Sequence, residues 1–75
     1  MPRYHAQFSN GRSLTRRSER DYSHAWLLVW NDAGGRQHEK HGFSGNAQLA
    51  QKQLSLTPAP GRTLVHAEVV QAVRS

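Results

Sequence analysis

Arginine and histidine are the side chains in this sequence whose type and placement could do chemistry. Arg3, Arg12, Arg16, Arg17 and Arg20 stand against Glu19 alone in the first 20 residues, giving that stretch a charge of +4, whereas residues 21–75 carry only +1. Arginine outnumbers lysine eight to two. A planar guanidinium grips phosphate through two parallel hydrogen bonds, where an ammonium offers a point charge. The bias therefore points to a polyanionic partner, nucleic acid first. A net charge of +5 also serves the solubility of a small protein, and that plainer reading stays open beside it.

The other reactive types do not assemble into a site. His38 and His41 fall on opposite faces of an extended chain and cannot share a metal ion unless the strand bulges. His5, His24 and His66 are isolated, which suits surface or hydrogen-bonded roles. The chain has no cysteine, and Ser13, Ser18, Ser23 and Ser44 lack a nucleophile-elbow context. Glu19, Asp21, Asp32, Glu39 and Glu68 show no spacing that suggests an acid–base pair. The glycines of Asn31-Asp32-Ala33-Gly34-Gly35 lack the Gly-Lys-Ser/Thr ending of a phosphate loop and read as a turn. The expectation is a non-enzymatic protein with no metal and no cofactor.

Seventy-five residues make one domain with a thin core, since a chain this short hides only about 60% of its unfolded surface. The lack of cysteine excludes a disulfide scaffold and fits a cytoplasmic location. The longest apolar run, Ala25 to Trp30, is six residues, too short to cross a bilayer, and no export signal opens the chain.

Several elements must position the charges. Tyr4, Ala6 and Phe8 alternate with Arg3, His5 and Gln7, the period of a strand with one apolar and one basic face. Asn10-Gly11 predicts a two-residue type I′ hairpin turn and a return strand from Arg12 to Thr15. Arg16 to Asp21 has no periodicity and reads as an exposed, arginine-rich loop. Tyr22 to Trp30 is apolar on both faces, which requires a central strand or a sheet covered on both sides. Arg36 to Phe43 follows as an edge strand, with Arg36, His38 and Lys40 on one face. A helix then starts at Ser44 or Asn46 as cap, buries Leu49, Ala50 and Leu54, with Leu56 a further candidate, and ends before Pro58-Ala59-Pro60. Thr63 to Val73 reads as a final strand, although Val65, Val69 and Val73 also recur at helical spacing. The expected fold is α+β, a mostly antiparallel sheet of four or five strands with one helix on one face, in the order β-β-β-β-α-β. Its core is expected to hold Tyr4, Phe8, Trp26, Leu28, Phe43, Leu49, Ala50, Leu54, Val65 and Val69, with the side of the long strand that the helix covers deciding between Trp26 and Leu27.

From Ala25 to Gln53 the layout resembles two DNA-binding families: Trp26 early in a strand, a turn at 31–35, a basic strand, Gly42-Phe43, then Leu49-Ala50 in a helix. These are the ethylene-response-factor type domains and the arm-binding domains of tyrosine recombinases. The resemblance implies a three-stranded sheet in the major groove with a helix behind it, and Phe43, Leu49 and Ala50 as helix-to-sheet contacts. The chain departs from the pattern at Val29, Trp30 and Asn31, where those families tend to place arginine, so only Arg36, His38 and Lys40 carry over as groove-facing residues.

Two functions of different class follow. One is a nucleic-acid-binding module using Arg3, His5, Arg12, Arg16, Arg17, Arg20, Arg36, His38 and Lys40, provided that the basic faces of the first strand and the edge strand coincide; an exposed Trp26 or Trp30 could add base stacking, although packing in the core is the commoner use of such side chains. The other is a protein-interaction or structural domain, pairing with another chain or a second copy through the edge strands Arg36 to Phe43 or Thr63 to Val73.

Overall fold

The computed structural model describes residues 2–55 and 61–74. The element order is β1 (Arg3–Gln7), β2 (Ser13–Arg17), β3 (His24–Asn31), β4 (Gln37–Ser44), α1 (Ala47–Ser55), β5 (Thr63–Gln71) and β6 (Val73–Arg74). The fold is α+β, as expected, but the strands divide into two antiparallel sheets of three, ordered β2-β1-β6 and β4-β3-β5. The last segment is strand throughout, bent at Ala72, so that β5 pairs with β3 in one sheet and β6 with β1 in the other. A bend of this kind is how a strand turns the corner between packed sheets.

Both hairpin turns use one device. Gly11 N–H donates to the Phe8 carbonyl at 3.1 Å, Phe8 N–H donates to the Arg12 carbonyl at 2.8 Å, and Gly11 alone takes a positive φ, 89°. This corrects the expected type I′ turn, which needs positive φ at Asn10 as well; the geometry is a type I turn closed by a left-handed glycine. Asp32 to Arg36 repeats it with Gly35 at φ 83°, and Asp32 Oδ1 accepts from the amides of Gly34 and Arg36, both at 2.9 Å.

The two apolar faces of β3 build the interior. Ala25, Leu27 and Val29 meet Ala6, Phe8 and Leu14 of the first sheet in one cluster, with Phe43 and Val70 packed at its margin. The alternate residues Trp26, Leu28 and Trp30 face the other way, where α1 lies over the sheet with Ala50 fully buried. The layers therefore run hairpin sheet, central sheet, helix. The choice between Trp26 and Leu27 dissolves, because each faces a different covering layer: Leu27 is fully buried and Trp26 half-buried against Gly42.

This layering corrects the expected core. Tyr4, Phe8, Leu28 and Ala50 are buried, while Trp26, Phe43, Leu54 and Val69 are half-buried. Leu49 and Val65 are exposed by about half. Ala6, Leu14, Ala25, Leu27 and Val29 take their places, because a second sheet covers the face that a single-sheet fold would leave open, and Trp30 joins the core on the helix side. Asn46 caps α1, its Oδ1 accepting from Leu49 N–H at 2.8 Å. Ser44 instead ends β4 and is buried. Leu56 and the proline boundary lie outside the described residues.

Candidate nucleic-acid interface

The pairing of the first sheet decides where the basic residues stand. Arg3 is directly opposite Arg17, Tyr4 opposite Arg16, and His5 opposite Thr15, with His5 Nδ1 at 3.4 Å from Thr15 Oγ1. On the other side of β1, Tyr4 is opposite Arg74 and His5 opposite Val73. The open end of this sheet thus holds Arg16 and Arg74 on either side of Tyr4, on the inner face that Tyr4 shares, and Arg17 and Arg3 in the next row, on the outer face. Arg20 lies just beyond β2, where its amide donates to Ser18 Oγ at 3.1 Å.

This overturns part of the sequence reading: Arg16 and Arg17 belong to β2 and not to a loop, so of the expected arginine loop only Arg20 remains in one. The strand runs on because β1 supplies partners up to Arg3, with Ser18 N–H still donating to the Pro2 carbonyl at 3.1 Å. An aromatic stack fixes the end of the sheet. Buried Tyr4 meets Tyr22 edge-on at 5.3 Å, Tyr22 packs on Phe43 at 5.7 Å, and the Arg16 guanidinium lies over the Tyr22 ring at 5.5 Å. Arg16 is thereby held in place while remaining exposed.

Electrostatically the cluster is one-sided. Glu19 and Asp21 are the carboxylates nearest in the chain, yet none of Arg16, Arg17, Arg20 and Arg74 forms an ion pair with a carboxylate among the described residues. Arg3 and Arg17 stand directly opposite each other, which places two guanidinium groups side by side on the outer face of the hairpin sheet. Arg74 escapes sequence reasoning. It is 58 residues from Arg16 and reaches the same row only because the chain crosses back to β1.

The remaining candidates stand elsewhere. Arg12 reaches across to Glu39, Nε at 2.9 Å and Nη2 at 2.8 Å, and this two-pronged contact lowers the Glu39 pKa and raises that of Arg12. His38 Nε2 sits 2.8 Å from Asp32 Oδ2 and is the main cause of the lowered Asp32 pKa. Arg36 lies in the turn before β4, and His38 and Lys40 are in register with Trp30 and Leu28 on the helix side of the central sheet. Arg3 and His5 point out from the opposite side of the molecule, beyond the hairpin sheet. The basic faces of the first strand and the edge strand therefore do not coincide. Two packed sheets separate them, and the single platform expected from the sequence splits into the arginines at the end of the hairpin sheet and a second set in which Arg12 and His38 are paired with carboxylates.

The aromatic candidates are used for packing. Trp30 is buried, stacked on His38 at 5.5 Å with Arg62 over its ring at the same distance, and its indole N–H has no hydrogen-bond partner among the described residues. Trp26 covers Gly42, where an added Cβ would approach the indole to 3.1 Å. Neither is placed to stack on a base. The face of the central sheet that a three-stranded DNA reader would present to the groove is covered here by Phe8 and Leu14. Of its implied helix-to-sheet contacts, Ala50 is one, Phe43 packs toward the hairpin instead, and Leu49 is exposed. An open groove of about 510 Å³ beneath the first turn has Arg12, Glu39 and His66 in its walls, and its arginine is already paired.

No helix among the described residues is long and apolar enough to cross a membrane. No known protein family, no curated protein and no solved structure matches this chain.

Proposed function

We propose that this chain is a small non-enzymatic module that binds nucleic acid through its phosphates, in a reducing cytoplasm, using Arg3, Arg16, Arg17, Arg20 and Arg74 at the open end of the hairpin sheet. The observation that carries this reading is the cross-strand pairing of Arg3 with Arg17 beside the Arg16–Tyr4–Arg74 row. Guanidinium groups around the end of the sheet, Arg3 and Arg17 on its outer face and Arg16 and Arg74 on the face of Tyr4, with Arg20 in the flanking segment, can contact neighbouring phosphates along one backbone. His5 stands on the same outer face as Arg3, two residues along β1. Arg12, Arg36, His38 and Lys40 are secondary in this reading, two of them because a carboxylate already answers their charge. With Trp30 buried and Trp26 held against Gly42, base stacking has no part in it, which favours backbone contact with a duplex over capture of unpaired bases.

Binding of a labelled duplex, followed by fluorescence anisotropy over a series of salt concentrations, tests the proposal. Each phosphate contact removed lowers the slope of log affinity against log salt by about 0.9. The triple variant Arg3→Ala, Arg17→Ala, Arg74→Ala is expected to lose affinity and slope together, while Arg12→Ala keeps both. Equal binding by the triple variant and the unaltered chain would overturn the reading. The second function, association with another protein chain, is favoured by a separate feature, the exposed edge of β5.

A further inference from the structure

The central sheet ends in two edges of different character. On β4, Gln37 to His41 are all exposed and include Lys40, Glu39 and two histidines, the charged fringe that discourages edge-to-edge pairing. β5 carries one formally charged residue in nine, Glu68, and exposes Leu64 and Val65 by about half. As the outer strand of its sheet, β5 presents a row of backbone N–H and C=O groups that no neighbouring strand in the sheet takes up. A long, weakly charged edge of this kind is a template for another strand.

The sequence of β5 is complementary to itself. Residues opposite one another on antiparallel strands share a face, so a two-fold axis perpendicular to the sheet must pass through a residue position. Centred on Ala67, it sets Ala67 against Ala67, Val65 against Val69, and His66 against Glu68 of the second copy, twice over. Centred on His66 it would oppose two histidines, and centred on Glu68 two carboxylates. Of these three registers, only the one centred on Ala67 sets His66 against Glu68 of the second copy. His66 and Glu68 already lie on one face, 2.8 Å apart within the chain, and both are only partly exposed at the margin of the edge. The register break opposite Val29/Trp30 leaves Val65 without a partner on β3, so regular pairing runs from His66 onward, the stretch that holds the Ala67 centre and both His66–Glu68 pairs. We infer that β5 is a homodimer interface, two copies joining antiparallel about Ala67 so that their central sheets fuse into one of six strands.

The inference does not rest on the arginine cluster and its test is separate. Sedimentation of the full chain from micromolar to millimolar concentration should show the mass rise from 8.5 kDa toward about twice that value. Ala67 is exposed, so a charged side chain there fits the monomer and meets its own copy across the axis. Ala67→Lys alone and Ala67→Glu alone are each expected to remain monomeric, with circular dichroism matching the unaltered chain, and a one-to-one mixture of the two is expected to restore the dimer mass. Hydrogen exchange on the unaltered chain provides a reading that needs no variant: β5 amides should gain protection as concentration rises. A chain that stays at 8.5 kDa with concentration-independent exchange, or single-charge variants that dimerise as well as the unaltered chain, would overturn the inference.

Discussion

Gly11 and Asp32 show how single residues set the frame that the arginines stand on. At φ 89° Gly11 lies where a Cβ is penalised, and its amide closes the turn that launches β2 in the register placing Arg17 opposite Arg3. Nothing lies within 4 Å of an added Cβ there, so Gly11→Ala isolates the backbone cost from any steric one. That cost is expected to be about 1 kcal/mol, read from urea denaturation, and an alanine variant as stable as the unaltered chain would show that the turn is not held in this form. Asp32 works through its side chain instead. Its carboxylate ties two turn amides and His38, so the second turn is fastened by charge as well as by Gly35.

Among the elements, β3 does most to hold the fold together, because each of its faces is covered by a different layer. Leu27 is fully buried under the hairpin sheet, and Leu27→Ala is expected to cost about 2–5 kcal/mol. Leu49 lies on the outer side of α1 at 48% exposure, and Leu49→Ala should stay within about 0.5 kcal/mol. The contrast discriminates between architectures. A helix packed in the way its sequence first suggests would make Leu49 the costlier loss, and thermal melts of the two variants in parallel decide the matter.

At the scale of the whole molecule, the two sheets are pinned together on either flank of β3. On one side, Ser9 donates from its amide and its hydroxyl to Glu68, the hydroxyl at 2.7 Å; on the other, Arg12 grips Glu39. Both carboxylates have lowered pKa values, Glu68 chiefly through the Ser9 hydroxyl with His66 assisting, and Glu39 chiefly through Arg12. A carboxylate whose pKa falls on folding contributes stability that is fully present above its ordinary value of 4.5 and is lost as pH drops through the lower folded value. Stability is therefore expected to hold level from neutral pH down to about 5 and to decline below it. Glu68→Ala should lower stability at pH 7 by about 1 kcal/mol and flatten the acid limb. A variant with an unaltered acid limb would show that the Ser9–Glu68 contact does not fasten the sheets in solution. The same docking sends the arginine cluster and the groups on β4 to opposite sides of the molecule.

Local chemistry alone determined much of this protein. Alternation placed β1, β3 and β4, the edge position of β4 followed from its exposed charges, turn residues placed both hairpin turns, and Asn46 was among the helix caps named; each depends on residues a few positions apart. The two apolar faces of β3 were compatible with a central strand or with a sheet covered on both sides, and the fold expected from them had a single sheet under one helix. The identity of the covering layers was settled only by tertiary structure, because hydrophobic alternation records that a face is buried and not what buries it. For the same reason Leu49 and Val65 read as core and are exposed, while Ala6 and Leu14 were passed over. The arginine cluster divides in the same way. Most of its charge is written in the first 20 residues, but Arg16 and Arg17 became strand residues only through pairing with β1, and Arg74 reached the same sheet only through the bend at Ala72, far along the chain. Pairing between distant strands is selected by the free energy of closing and packing the whole chain, which no short window of sequence contains.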